Sequence, residues 1–402
     1  MSPQIIHRAI YSSILPILSF AVFFIGTMEF MLSPMLKPLS EAFNTTTDKV
    51  SWLVSGYALA YALTAPIFGW LSDKIGRRKL FLASLLFLSL DGMALTLAPN
   101  LEIAIGLRVF GGIASAALIP TIFALIAEMF SPYKQASAMG IVMFGMTAGI
   151  AVGPILAGIL TELFYWKMPF LVTGTGCFLL FLVSAVLVSK KDILPQSDVR
   201  KTEHQAITFQ WIRQGNLLRP LIAKGLWNGT AVSTFILSGE VLRQHYELGT
   251  GAIGISVSAF GIGLGLGNLS VGTVKRLYIR DEWILLLMII LLFSAISAFM
   301  LFPFSLLFSL VCLMLFGISL GLAAPISTSI LANRAKQDKG QVLAVSESLN
   351  NLTILFLLPV TTMLLARHGI AVTIIVLGFC LIMGMGLILK DLIAQNIRYN
   401  VT

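Results

Sequence analysis

Charge is the scarcest commodity in this 402-residue chain. Asp, Glu, Lys and Arg make up 11% of it, against roughly 25% in a soluble globular domain, which excludes an ordinary water-soluble fold. Cysteine is nearly absent. Cys177, Cys312 and Cys380 each fall inside a long apolar run, which argues against a disulfide framework. The four histidines, His7, His204, His245 and His368, are scattered among the tail and loops and offer no metal cluster. No nucleophile–base arrangement is visible, so an enzyme is not expected and neither is a cofactor. Nucleotide-binding motifs are missing too. The glycine run Gly261–Gly267 lies within apolar sequence without the lysine a phosphate loop needs. Any work the protein does must draw on an ion gradient.

What is abundant is apolar sequence, with 57% hydrophobic residues and a mean hydropathy of +0.92. A helix needs about 20 apolar residues to cross a bilayer. Twelve candidate spans follow, at 13–35, 50–71, 80–98, 101–125, 137–160, 168–188, 217–239, 250–272, 282–302, 305–331, 341–364 and 370–389. Mostly short loops join them, apart from the polar segment 189–216. The run after His7-Arg8 is too long for a cleavable signal and reads as a retained first span.

The net charge of +9 raises the question of nucleic acid, and its distribution answers it. With both termini cytoplasmic, the segments on that side hold 20 of the 27 basic residues and the outside loops five. Arg108 and Lys224 remain within spans. This asymmetry favours that topology over its inverse, so the basicity is topological and no nucleic-acid partner is expected. The expected location is a bacterial cytoplasmic (inner) membrane.

The chain repeats itself. Gly69-x-Leu71-Ser72 recurs as Gly267-x-Leu269-Ser270, 198 residues on, trailed by Lys275-Arg276 as Arg77-Arg78 trail the first copy. Gly112-Ile113, Pro120 and Ala127 recur 205 residues on as Gly317-Ile318, Pro325 and Ala332. Two six-span halves explain both offsets: residues 1–188, a cytoplasmic linker 189–216, and residues 217–402. The expected fold is all-α and integral to the membrane, with twelve transmembrane helices in two pseudo-symmetric bundles. The second loop copy has lost its acid, since Val271 stands at the place of Asp73.

Between the second and third spans, Gly69-Trp-Leu71-Ser-Asp73-Lys-Ile-Gly76-Arg77-Arg78-Lys79 packs one carboxylate and four basic groups into eleven residues. So charged a turn must sit at a water interface. Gly69 lets a neighbouring helix approach and Gly76 permits a sharp turn. Glu128, at the end of the fourth span, is a candidate ion partner for Arg77. In the fifth span, Gly145, Gly149 and Gly153 line one helical face, followed by Pro154, Ala157 and Gly158; Pro154 should bend the helix. The eighth span offers a matching face, Gly261 with Gly265 and Gly263 with Gly267, and the two are expected to meet between the halves.

These motifs resemble those of the major facilitator superfamily. The charged loop fits the family pattern Gly-x-Leu-x-Asp-(basic)-x-Gly-Arg-Arg-(basic). Arg108-Val-Phe-Gly111-Gly112 is similar to its Arg-x-x-Gln-Gly motif, with Gly111 in place of Gln. The Gly145–Gly158 pattern is similar to the antiporter motif of the twelve-span drug:proton antiporters, with Ala157 departing from the usual Gly-Gly pair. The resemblance implies a gate in which Asp73 meets the start of the eleventh helix near Gly340. It also implies that spans one and four line a central cavity while span three is peripheral.

Ionisable groups inside the membrane need a reason to be there. Glu29 lies about 16 residues into the first span, ~24 Å from the cytoplasmic side at 1.5 Å per residue. Arg108 enters from the other face to a nearly matching depth, and Asp91 in the third span lies only slightly deeper. Arg108 thus has two candidate partners, and the family's arrangement favours Glu29, with Arg108 as its modulator. Burial and a nearby guanidinium pull a carboxyl's protonation in opposite directions, so a conformational change can switch it. Lys224, near the end of its span, reads as snorkelling to the interface. Tyr57, Tyr61, Phe123, Phe144, Trp227 and Phe235 are candidates for the wall of an apolar pocket.

The function expected is proton-coupled export of small, amphipathic molecules by alternating access, the partners being substrate, protons and lipid, with a monomer as the working unit. Proton-coupled uptake of a sugar, another nutrient or a siderophore is the alternative, against which the fifth-span motif argues. A non-transporting scaffold or sensor comes third, because Glu29, Asp91 and Arg108 would then be pure cost.

Overall fold

The computed structural model describes residues 3–188, 215–335 and 338–399; for 3–13, 69–75, 132, 133, 136 and 396–399 it describes the backbone alone. Among the described residues the regular structure is helical: α1 (Pro3–Phe30), the short α2 (Leu36–Ala42) and α3 (Thr47–Val50), α4 (Trp52–Ile75), α5 (Arg77–Leu95), α6 (Leu101–Met129), α7 (Pro132–Leu163), α8 (Met168–Leu187), α9 (Gly215–Tyr246), α10 (Thr250–Lys275), α11 (Asp281–Leu301), α12 (Leu306–Ala335) and α13 (Lys339–Tyr399). Among the described residues, eight helices are long and apolar enough to cross a membrane by length and composition. The twelve-span count rests on reading α1, α5 and α9 as spans too, and α13 as two. The last reading has a local cause: Gly369 interrupts α13 at φ 77°, ψ −174°, a conformation that disfavours any residue with a Cβ.

Local chemistry sets several boundaries. Gly76, at φ 90°, separates α4 from α5, the sharp turn its position in the charged loop calls for. The Asn100 carboxamide accepts from the Ile103 N–H at 3.0 Å and caps α6. Asp281 and Glu282 occupy the first turn of α11, where the positive end of the helix dipole favours acids.

The helices up to α8 pack among themselves, α1 on α7 and α8, α4 on α6, and α5 on α6 and α8; those from α9 onward do likewise, α9 on α13 and α12 on α10 and α11. Two seams join the groups, α7 on α10 and α4 on α13. One apolar core belongs to the first group, from Ile14 to Val188. A larger one runs through both groups, joining Phe30 and Leu53 to Phe235 and Phe260.

The bundle therefore has two unlike ends. At one, Ser33 Oγ donates to the Phe235 carbonyl (2.9 Å), the Gly239 N–H donates to Ser33 Oγ (3.2 Å), and Arg243 Nη2 donates to the Pro34 carbonyl (3.4 Å). Each bond crosses from the first group to the second, so this end is sealed. The other end carries the charged loop. Toward it, Leu63, Ile67, Phe144 and Leu269 stand exposed.

Candidate functional site

Arg108 is the hub. Only 1% exposed, its Nη1 donates to Asp91 Oδ2 at 2.8 Å. Its Nη2 reaches the Met28 carbonyl at 3.4 Å, and its guanidinium lies 4.7 Å above the Tyr57 ring. One side chain thus ties α6 to α5, α1 and α4. The ion partner is Asp91, not the favoured Glu29. Depth along the spans could not separate the two, because what decides is the direction each side chain faces.

The pair also explains the glycine that replaces the family's glutamine. A Cβ at Gly111 would stand 2.6 Å from the Asp91 Cγ, so only glycine leaves room for the carboxylate. Gly112 is similarly constrained, with Ala60 Cβ 3.0 Å from where its own Cβ would be.

Glu29 sits one residue beyond the carbonyl that Arg108 grips. Among the described residues it enters no ion pair within 4 Å, yet it lies within electrostatic reach of Arg108 and of Glu347 in α13. The first group therefore holds a fixed positive charge beside an uncommitted carboxyl. A fully enclosed pair such as Asp91–Arg108 has little freedom to exchange partners. Glu29 has that freedom.

Across from it the second group supplies a site the sequence did not reveal. Lys224, 2% exposed, does not snorkel: its Nζ donates to Glu347 Oε1 at 3.1 Å and to Thr328 Oγ1 at 3.0 Å. The Glu347 side chain is 43% exposed. This pair therefore has one buried member and one that opens onto accessible space. Thr328 in α12 and Glu347 in α13 lie more than a hundred residues from Lys224 in α9, and no local motif announces the pairing.

At the loop end Arg77 Nη1 meets Glu128 Oε1 at 2.7 Å and donates to the Ala124 carbonyl at 2.8 Å. Arg78 binds the Val188 and Ala185 carbonyls at the end of α8. The gate residues Gly69 and Asp73 lie in 69–75, whose side chains fall outside the described residues, as does most of the linker, 189–214.

The fifth-span glycines divide their work. Gly145, Gly149 and Gly153 face α1, where added Cβ atoms would collide with the Ser19, Phe23 and Thr27 backbone. Pro154 and Gly158 meet α10 at Gly254, and Gly261 and Gly265 meet α7 at Ala151 and Thr147. Gly263 and Gly267 instead pack on α12, at Met314, Ile318 and Gly321. The two helices thus meet between the groups as expected, through the Gly261 and Gly265 face of α10, while Gly145–Gly153 and Gly263–Gly267 press each helix against a second neighbour in its own group.

The proposed pocket wall also divides. Tyr57 and Tyr61 stand as a tilted pair beside the charges, ring centroids 6.3 Å apart. Trp227 and Phe235 are fully buried core, with Phe235 packed between Phe30 and Phe260. Phe123 is part of the first group's core margin, and Phe144 points outward at 62% exposure. In this conformation only the tyrosines adjoin the charged site.

A helical membrane protein with a buried, ion-paired cation in each of two helix groups has the architecture of a solute transporter rather than an enzyme. The chain belongs to the Major Facilitator Superfamily, whose family pattern it matches over residues 18–357. It is 29% identical over 249 residues to the uncharacterized MFS-type transporter YceJ of Bacillus subtilis, covering 62% of this chain and 63% of that one. It is 35% identical over 150 residues to a multidrug resistance protein B homolog of Mycobacterium tuberculosis, covering 37% and 28%. With the quinolone resistance protein NorA of Staphylococcus aureus it shares 26% over 192 residues, covering 48% and 49%. In each case the match spans less than two thirds of the relative. Among solved structures, a bacterial homolog of the human lysosomal transporter Spinster aligns with a TM-score of 0.75 at 15% identity, covering 95% of this chain and 96% of that one. At that identity the likeness concerns the fold. Two of these relatives carry drug-resistance names.

Proposed function

We propose that this protein exports small amphipathic molecules in exchange for protons, by alternating access between two six-helix halves. The observation that carries the reading is the uncommitted Glu29 carboxyl beside the anchored Arg108. A carboxyl in this setting gains or loses a proton when the charges around it change: Arg108 is fixed in its own half, while Glu347 lies in the other, so movement of the halves changes the distance between the two acids. Asp91 acts as positioner: it holds Arg108 in place so that the positive charge seen by Glu29 is fixed. The residue pattern at Gly145–Gly158 and the drug-resistance relatives support export over uptake.

In this reading the loop end faces the cytoplasm, both termini lie there, and the protein works as a monomer. The test is transport of ethidium, an amphipathic cation, into everted membrane vesicles under an imposed interior-acid gradient. Accumulation that collapses with the gradient is expected. Ethidium uptake into right-side-out vesicles driven by inward proton flow would overturn the direction.

A further inference from the structure

The sealed end contains a contact that none of the motifs above accounts for. Helix α10 begins at Thr250 behind Gly249, an N-cap residue with no side chain to satisfy the helix's first N–H groups. The missing acceptor comes from the other group of helices. Glu162, in the last turn of α7, accepts a hydrogen bond from the Gly251 N–H through Oε2.

Space has been cleared for it. A Cβ at Gly251 would stand 2.8 Å from Glu162 Oε2, and one at Gly249 would stand 3.1 Å away. A negative charge at the positive end of a 26-residue helix also gains from the dipole. Directly beneath, a Cβ at Gly158 would fall 2.6 Å from the Thr250 carbonyl and 2.9 Å from Gly254 Cα. The two helices thus close like a zipper, with Glu162 at its end.

We propose that Glu162 is the latch of the sealed end: a carboxylate of one half that caps a helix of the other and holds this end shut. The inference rests on the alternating-access reading, because a latch has meaning only if the halves part. It assigns Glu162 a positioning role in the transport cycle, with no contact to substrate. Losing a charge-assisted cap should shift the balance between the two open states by about tenfold.

The test reads the two ends separately and needs neither substrate nor proton gradient. In a background with Cys177, Cys312 and Cys380 replaced by alanine, Ser238→Cys places a thiol in the seal, beside Ser33. Asn268→Cys places another toward the loop end of the α7–α10 seam, where Asn268 meets Thr147 at 3.1 Å. Each is labelled with a membrane-impermeant maleimide from its own side. Glu162→Ala should speed labelling at 238 about tenfold and slow it at 268, while Glu162→Gln, which keeps an acceptor, should do less. Labelling that rises at both ends would mean simple loosening and would overturn the latch, as would rates within twofold of the parent. Either result would leave proton-coupled export standing, since that is judged by vesicle transport.

Discussion

The two groups of helices solve the same problem with opposite signs. In the first, the start of α5 and the end of α6 are joined by Arg77–Glu128 at 2.7 Å. In the second, the start of α11 and the end of α12 are joined by Glu282–Arg334 at 2.9 Å, with Arg334 also bound to Asp391 at 2.7 Å. The acid and the base have changed places between equivalent helix ends. What the repeat has kept is a clasp between two helix termini, and the sign of each partner is free to vary. In the first group the basic partner belongs to the charged loop between α4 and α5.

Deeper in the bundle the groups differ in kind. Arg108–Asp91 is enclosed, with side-chain exposures of 1% and 0%. Lys224–Glu347 has exposures of 3% and 43%. An enclosed pair is costly to break, because removing one member strands the other in a low-dielectric interior. A pair with an accessible carboxylate can borrow water or another ion. The first therefore behaves as framework and the second as a site that can respond.

The largest expected effect breaks this contrast directly. Asp91→Asn should cost about 3–5 kcal/mol by leaving Arg108 buried without its counter-charge, read as a loss of thermal stability in detergent. Glu347→Gln should cost clearly less. Equal losses would mean that exposure is no guide to the role of either pair.

Next comes packing. Gly149→Val would drive a side chain into the Phe23 backbone, and overpacking of this sort costs about 1–3 kcal/mol. Gly140, with open space around it, should accept alanine with little change. Gly111→Ala falls between these two, because the Asp91 carboxylate must shift to admit the Cβ.

The smallest effect sharpens the sign inversion. Arg77→Glu or Glu128→Arg alone should cost about 1 kcal/mol at this partly exposed position. The double exchange should recover most of that loss, since the second group already carries the inverted pair. A double exchange as damaged as the sum of the singles would show that the sign matters as well as the clasp.

Much of the fold was legible in the sequence because apolar runs of membrane length and a charged glycine turn are local signals. Gly76 and the break between the last two spans are local in the same sense. Facing directions are not. Depth put Glu29, Asp91 and Arg108 at one level but could not say that Asp91 turns toward the guanidinium. Gly111 was visible as a departure from the family pattern, and its meaning emerged only with the carboxylate it accommodates. Lys224 looked like an interface residue because its partners Thr328 and Glu347 lie 104 and 123 residues away. Glu162 gave no signal, since a helix cap borrowed from another helix leaves no trace in neighbouring sequence.

In the proposed mechanism Glu29 exchanges the proton while Asp91 holds Arg108 still. The most direct measurement is gradient-driven ethidium accumulation in everted vesicles carrying Glu29→Gln, alongside equilibrium ethidium binding to the purified variant. Coupled accumulation should fall by about 100-fold or more while the variant folds and binds ethidium as the parent does. Undiminished, gradient-dependent accumulation by Glu29→Gln would contradict this mechanism.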